Sequence, residues 1–249
     1  MDFRYFIGFI SEWLGAISVA WILSISPRFQ KPVIGFKYAR RDGIVAISLF
    51  ALILLFSFIF SSINPAVLPD PLIIAAAPVG DLGRSLILAF ICLLTIIAAV
   101  ALRRQPVRSA GWNPALITPG LQMGLAIGIL TIFLRNRVMD VLSGISPEGL
   151  NMLLLALGIS LAEETIFRGY IQLRLSWWLG QWTGIILTSL MFTLFHIPAW
   201  LNAVPTPTLL ILAGLTFVQG LVLGWVMHKS GIVAAPALYR AFSIWVQFL

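Results

Sequence analysis

The chain holds one cysteine, Cys92, and two histidines, His196 and His228. A lone thiol excludes an internal disulfide, a CxxC redox pair and a thiolate metal site, so cysteine usage says nothing of the compartment. Cys92 also lies in an apolar run with no acid or base nearby in sequence, which argues against a catalytic thiol. Charge is nearly as scarce: 10% of the 249 residues are charged, against 60% hydrophobic. A soluble domain carries roughly 25% charged residues, so this composition excludes one and predicts a polytopic membrane protein. Acids are scarcest, 9 against 16 basic residues. The surplus of positive charge does not indicate a nucleic-acid partner, because most basic residues fall between apolar runs and there record topology.

Internal repeats, low-complexity tracts and a linker to a second domain are also absent. No cleavable signal peptide is expected: Met1 to Tyr5 lacks a basic n-region, and the apolar run to Ile25 shows no clear cleavage site, so the first helix is retained.

What is present is a series of apolar runs. Windows of about 20 residues predict an all-α membrane bundle of about eight transmembrane helices, roughly 5–25, 43–63, 85–102, 117–134, 149–172, 181–198, 208–228 and 231–248. The last two must form a tight hairpin across His228 to Gly231. Stretches such as Pro65 to Pro71 and Gly111 to Gly120 read as loops or re-entrant turns. Arg28, Lys31, Lys37, Arg40 and Arg41 after the first run, and Arg103, Arg104 and Arg108 after the third, are expected in the cytoplasm. Both ends of the chain then face outward, and Arg135 and Arg137 sit on the wrong side of that scheme. Trp177, Trp178 and Trp182 read as an aromatic belt rather than a substrate-binding wall.

One stretch breaks the apolar pattern in mid-helix. In Leu161-Ala162-Glu163-Glu164-Thr165-Ile166-Phe167-Arg168-Gly169 two carboxylates stand together, each costing roughly 2.5–3.5 kcal/mol at the bilayer centre if not neutralised. A wet helix end would explain them simply, but the apolar run Asn151 to Leu161 sets the pair about eight or more residues inside. Glu164 and Arg168, at i and i+4 with the acid first, are in the favourable order for a helical ion pair. Glu163 is then the unpaired acid and the candidate for chemistry.

A second constellation lies in the sixth run, where Phe192 and His196 share a helical face. A lone histidine in an apolar helix is more often a packing residue than a catalyst. Depth alters that weighting: at about 1.5 Å per residue, Glu163 lies roughly 16 Å from Arg174 and His196 roughly 22 Å from Gln181, both near mid-bilayer. The two residues are expected to meet.

These motifs resemble the CAAX prenyl protease and bacteriocin-processing (CPBP, or Abi) intramembrane proteases. Glu163-Glu164-Thr165-Ile166-Phe167-Arg168 is similar to their two glutamates, three residues and an arginine, and Phe192 to His196 to their phenylalanine, three residues and a histidine. The resemblance covers about the last 100 residues. It implies a catalytic core in 149–249; the four N-terminal spans in 1–148 match only in being hydrophobic, and with no linker the chain reads as a single membrane domain over 1–249. The family's later histidine and amide are missing, with Arg240 and Ile244 in their places. His228 sits too near the surface to substitute.

By resemblance the protein is a glutamate-dependent endopeptidase, a hydrolase of membrane-associated peptides or prenylated proteins; as a multi-pass protein it is expected in the plasma membrane. Glu163 would be the general base that activates water, with Glu164 assisting, Arg168 holding the carboxylates, and His196 orienting the water or the oxyanion. The family is described as metal-dependent, but a catalytic zinc needs three protein ligands and an open position. Only Glu163 and His196 are at suitable depth, so the ligand count does not support zinc. The rival is a pseudoprotease: Arg240 fills the former cavity, pairs with a glutamate, and the protein works as a scaffold or regulator of a membrane-protein partner. A proton-coupled carrier, using the Glu pair as a relay, lacks the expected repeat symmetry. Direct pairing of Arg240 with Glu163 favours the scaffold; an open, water-filled gap favours the enzyme.

Overall fold

The computed structural model describes residues 3–29, 35–62, 77–201 and 203–249, with side chains from residue 7 in the first helix and residue 82 in the third. The stretch Pro65 to Pro71 and Lys31 lie outside the described residues. Ten α-helices follow one another without a strand among the described residues: α1 Phe3–Leu23, α2 Ala39–Ser62, α3 Ala77–Leu102, α4 Ile117–Leu134, a short α5 Val138–Leu142, α6 Pro147–Glu164, α7 Leu173–Leu179, α8 Gln181–Leu201, α9 Thr206–Ser230 and α10 Ala234–Trp245. Between α6 and α7 the chain stays helical but widens into a π segment, Thr165–Gln172. The protein is a polytopic helical membrane bundle.

Among the described residues six helical stretches are long and apolar enough to cross a membrane, including the α6–π–α7 unit at Pro147–Leu179, and a shorter apolar stretch runs from Ile7 to Leu23. The expectation of eight spans is corrected at the C-terminal end. Helix α10 has 12 residues and is about 18 Å long, well short of a hydrocarbon core of about 30 Å. Its apolar composition reflects burial in protein rather than contact with lipid, since Ala234, Ala235, Ala237, Tyr239, Ala241 and Trp245 are all covered. The tight connection is as expected: Gly231, with φ of 70°, caps α9 in the left-handed region, a conformation that suits glycine.

Helix α10 lies between α4 and α6, and α8 and α9 pack together on the other side of the π segment. A stripe of small residues explains how a helix with an arginine in it gets so close. Gly120, Gly124 and Gly128 face α10 and the turn before it, and a Cβ on Gly124 would lie 2.8 Å from the Cβ of Leu238 and 2.9 Å from the Ala235 carbonyl. Small residues four apart let membrane helices approach closely enough for backbone contact. At the far end the Trp245 indole donates to the Gly149 carbonyl at 2.8 Å, which ties α10 to the first turn of α6. That turn is itself fixed by Ser146, whose hydroxyl accepts from the Gly149 amide at 3.0 Å, and by Pro147 at the first helical position.

Two further acids are buried in the helices, and each has an arginine. Glu12 of α1 pairs with Arg135 at 2.7 Å, and Asp42 of α2 pairs with Arg103. The first pair accounts for Arg135, which the charge pattern of the loops left unexplained. Its guanidinium is 10% exposed and stacks on Phe9 at 3.7 Å, serving as a tie between α1 and α4 rather than a topological marker. Arg174, expected at the membrane surface, is fully buried and donates to the Ser109 and Tyr170 carbonyls at 3.0 Å each.

Gly124→Val is expected to lower stability in detergent by about 1–3 kcal/mol through overpacking against Leu238. Gly214→Ala, where a Cβ meets nothing within 4 Å, is expected to be neutral or stabilising by up to about 1 kcal/mol. Thermal unfolding of the two variants checks the pair, and equal losses would refute the close-packed stripe.

Candidate functional site

Glu163 and Glu164 are the last two residues of α6, and Arg168 lies in the π segment that follows. The widening has an identifiable neighbour: a Cβ on Gly169 would run into the Ala110 carbonyl and would lie 2.8 Å from Val233, so only glycine lets the 107–113 connection and the head of α10 approach this turn. All eight residues of the π segment are buried. π segments inside α-helices recur at functional sites, where they redirect side chains that a regular helix would place elsewhere.

Four charged side chains meet here. Arg168 Nε lies 3.2 Å from Glu164 Oε2. Arg240 Nη1, arriving from α10, lies 2.6 Å from Glu163 Oε2 and 3.4 Å from Glu164 Oε1. Two carboxylates and two guanidiniums cancel, which is how the bundle tolerates four ionisable groups that are each at most 5% exposed. Glu163, expected to stand unpaired, is in direct contact with Arg240. The pairing is ionic rather than well aligned: Arg240 donates a hydrogen bond to Glu164 Oε1, whereas Glu163 Oε2, Glu164 Oε2, and Nε and Nη1 of Arg168 have no aligned partner. Buried polar atoms in that condition mark a site that water or a ligand could complete.

Phe192 stands between the two arginines, with the Arg168 guanidinium 4.4 Å and the Arg240 guanidinium 4.7 Å from its ring centroid. An aromatic face attracts cations and is worth most where water is excluded. The ring also packs edge-on against Phe167 at 5.2 Å and His196 at 4.7 Å. The phenylalanine found by spacing therefore spaces two like charges that share one pair of acids.

His196 lies on the open side of the cluster, its side chain 23% exposed, with Nε2 3.5 Å from Glu163 Oε2. Its Nδ1 is 2.9 Å from the Phe192 carbonyl. A carbonyl only accepts, so Nδ1 carries a proton, and Nε2 of a neutral ring then presents a lone pair toward the carboxylate. The contact requires a proton on one partner or a water between them. Glu163 Oε2 is thus approached by both the His196 imidazole and the Arg240 guanidinium. Ile244, one turn beyond Arg240, is half-buried.

The donor set does not fit a catalytic zinc. Among the described residues no group of three His, Cys, Asp or Glu is arranged to hold a metal ion. Moreover, Arg240 puts a cation 2.6 Å from the oxygen that Glu163 would offer, where a second positive charge would be repelled.

The sequence reading missed the part played by α9. Arg168 Nη2 donates to the Gly220 carbonyl at 3.2 Å and Gln172 Nε2 to the Gly224 carbonyl at 3.0 Å, two rungs with matched i, i+4 spacing on both helices. Glycines leave the helix carbonyls open to a neighbour's side chain. The only signal was Gly220 and Gly224 at the same spacing as Arg168 and Gln172, which is weak until the two helices are known to be neighbours.

Glu164 touches two guanidiniums and Glu163 touches one and an imidazole. Glu164→Gln is therefore expected to cost about 3–5 kcal/mol of stability, the usual range for breaking a buried ion pair from one side, and Glu163→Gln distinctly less. Melting in detergent decides the order, and a larger loss for Glu163→Gln would reverse the assignment of the pairs.

Residues 146–245 match the family described as type II CAAX prenyl endopeptidase Rce1-like. No curated protein and no solved structure matches the chain. The matched stretch takes in the Glu-Glu-Arg turn, the Phe-His helix and Arg240. This C-terminal region is therefore similar to that family, in keeping with the resemblance to CPBP intramembrane proteases that the two motifs suggested.

Proposed function

We propose that the protein is a non-hydrolysing relative of these intramembrane endopeptidases, a membrane scaffold or regulator that associates with a membrane-embedded partner in the plasma membrane. The observation that carries this reading is Arg240 Nη1 at 2.6 Å from Glu163 Oε2. A general base must offer a lone pair to a water within hydrogen-bond reach, with a basicity suited to taking its proton. Here that oxygen faces a permanent cation, the residue is 2% exposed, and Arg240 stands where the resemblance expects a histidine. The same contacts serve well as a structural tie, because they bind the end of α6 to α10 and, through Phe192, both arginines to α8.

The hydrolase reading keeps two supports: the Glu163–His196 contact at 3.5 Å, and carboxylate oxygens without aligned donors, which leave a place for a water. In that reading Glu163 is the base, His196 shares its proton, and the substrate is a membrane peptide with a prenylated C-terminus, the class named by the matched family.

A cleavage assay on a prenylated peptide in liposomes separates the two, with membrane-protein partners captured by crosslinking in parallel. The wild type is expected to leave the peptide intact, Arg240→Ala to destabilise the fold by leaving Glu163 uncompensated, and partner capture to survive Glu163→Gln. Turnover by the wild type that Glu163→Ala abolishes would overturn the scaffold in favour of the hydrolase. Cleavage gained only in Arg240→His/Ile244→Asn would identify Arg240 as what silences the site.

A further inference from the structure

Away from the charged site, three concavities meet around the connection between α3 and α4. The first is a polar cup of about 450 Å³, whose lining includes Lys37, Arg41, Asp42, Gln105, Arg108 and Ser109. Among the described residues its one acid, Asp42, is already held by Arg103, and no carboxylate pairs with Lys37, Arg41 or Arg108. Arg174 lies behind the cup, donating to Ser109 and Gln105, both of which line it. Lys37, Arg41 and Arg108 thus line the cup, with Arg103 and Arg174 close behind it, and Asp42 is the one acid in the lining.

The cup also has unfilled donors. Ser109, in the lining, is 3% exposed and its hydroxyl has no partner, and behind the lining Nη1 of Arg103 and Nε of Arg174 are buried without an aligned one. A concave, electropositive site with orphaned donors is built for an anion with several acceptor oxygens.

The other two concavities are apolar. A furrow of about 690 Å³ runs between α3 and α6, past Phe90, Ile97 and Leu161, and shares Gln105 with the cup. A second, of about 570 Å³, runs past Trp112, Pro114 and Ile117 and shares Pro106 and Arg108 with it. Val107 and Trp112 line both furrows. One polar cup and two apolar furrows therefore diverge from a single turn on the face that the loop charges assign to the cytoplasm.

We propose that this turn is a binding site for an anionic diacyl phospholipid, with its phosphate in the cup on Lys37, Arg41, Arg108 and Ser109 and one acyl chain in each furrow. Charge complementarity selects the headgroup, since anionic lipids concentrate in the cytoplasmic leaflet and each nearby Lys or Arg strengthens their binding. The furrows select a lipid over a free anion, because a soluble phosphate gains nothing from them. The first furrow ends against Ala162 and Thr165, and Trp112 donates to the Thr165 hydroxyl at 3.1 Å. A bound chain therefore lies directly behind the turn that carries Glu163 and Glu164.

The test is native mass spectrometry of the full chain in detergent, with phosphatidylglycerol and phosphatidylcholine added at equal concentration. Phosphatidylglycerol is expected to bind at least about tenfold more tightly, and Lys37→Gln/Arg41→Gln/Arg108→Gln, all exposed positions, to reduce the preference to about twofold or less. Val107→Asp is expected to weaken phosphatidylglycerol binding while leaving the melting temperature of the lipid-free protein unchanged. Equal binding of the two lipids by the wild type, or a preference that survives the triple substitution, overturns the headgroup site. Displacement of phosphatidylglycerol by millimolar inorganic phosphate shows a free-anion site instead and overturns the lipid assignment.

Discussion

The structure depends on one constraint, that a charge placed among apolar helices must be cancelled by another within reach. Each acid buried among the described residues has an arginine: Glu12 has Arg135, Asp42 has Arg103, and Glu163 and Glu164 share Arg168 and Arg240. Desolvating an ion is so costly that the partner must arrive with it, so these pairs decide which helices are neighbours. The Glu-Glu cluster reaches furthest, joining the end of α6 to the π turn through Arg168, to α10 through Arg240, and both arginines to α8 through the Phe192 ring.

Close backbone approach makes that cancellation geometrically attainable. Arg240 sits on a helix of only 12 residues, which reaches the cluster because Gly120, Gly124 and Gly128 let it lie deep against α4. Gly169 does the same for the π turn against the Ala110 carbonyl. Without side chains at these points the helices draw together and the guanidiniums come within ionic distance of the acids. The fold and the site therefore rest on one packing arrangement, and a change that loosens α10 should disturb both.

The same accounting distinguishes the two ends of the molecule. In the interior the charges cancel, and the result is a tie. Around the 103–112 turn the cations outnumber the acids, Asp42 being the one acid lining the cup there, which is the charge imbalance on which the proposed lipid site rests. The hydrogen bond from Trp112 to Thr165 links the two regions, the neutralised interior cluster and the cationic turn.

Much was legible from the sequence alone, for a physical reason: solvent choice in a bilayer is written residue by residue. A series of long apolar runs argues for membrane helices, and a carboxylate within one requires a partner, so the bundle, the Glu163-Glu164 anomaly and the Glu164–Arg168 pair followed from composition and spacing. Phe192 and His196 followed from i, i+4 periodicity and depth. The tertiary structure decided what periodicity cannot encode. Whether the apolar stretch at 231–248 faces lipid or protein depends on what packs around it, so α10 was counted as a span although it is buried and short. Glu12 gave no sign of its role until α1 lay beside Arg135. The identity of the fourth ion in the cluster, and hence whether Glu163 is free or held, depends on a contact between residues 77 positions apart, which only the folded chain brings to 2.6 Å.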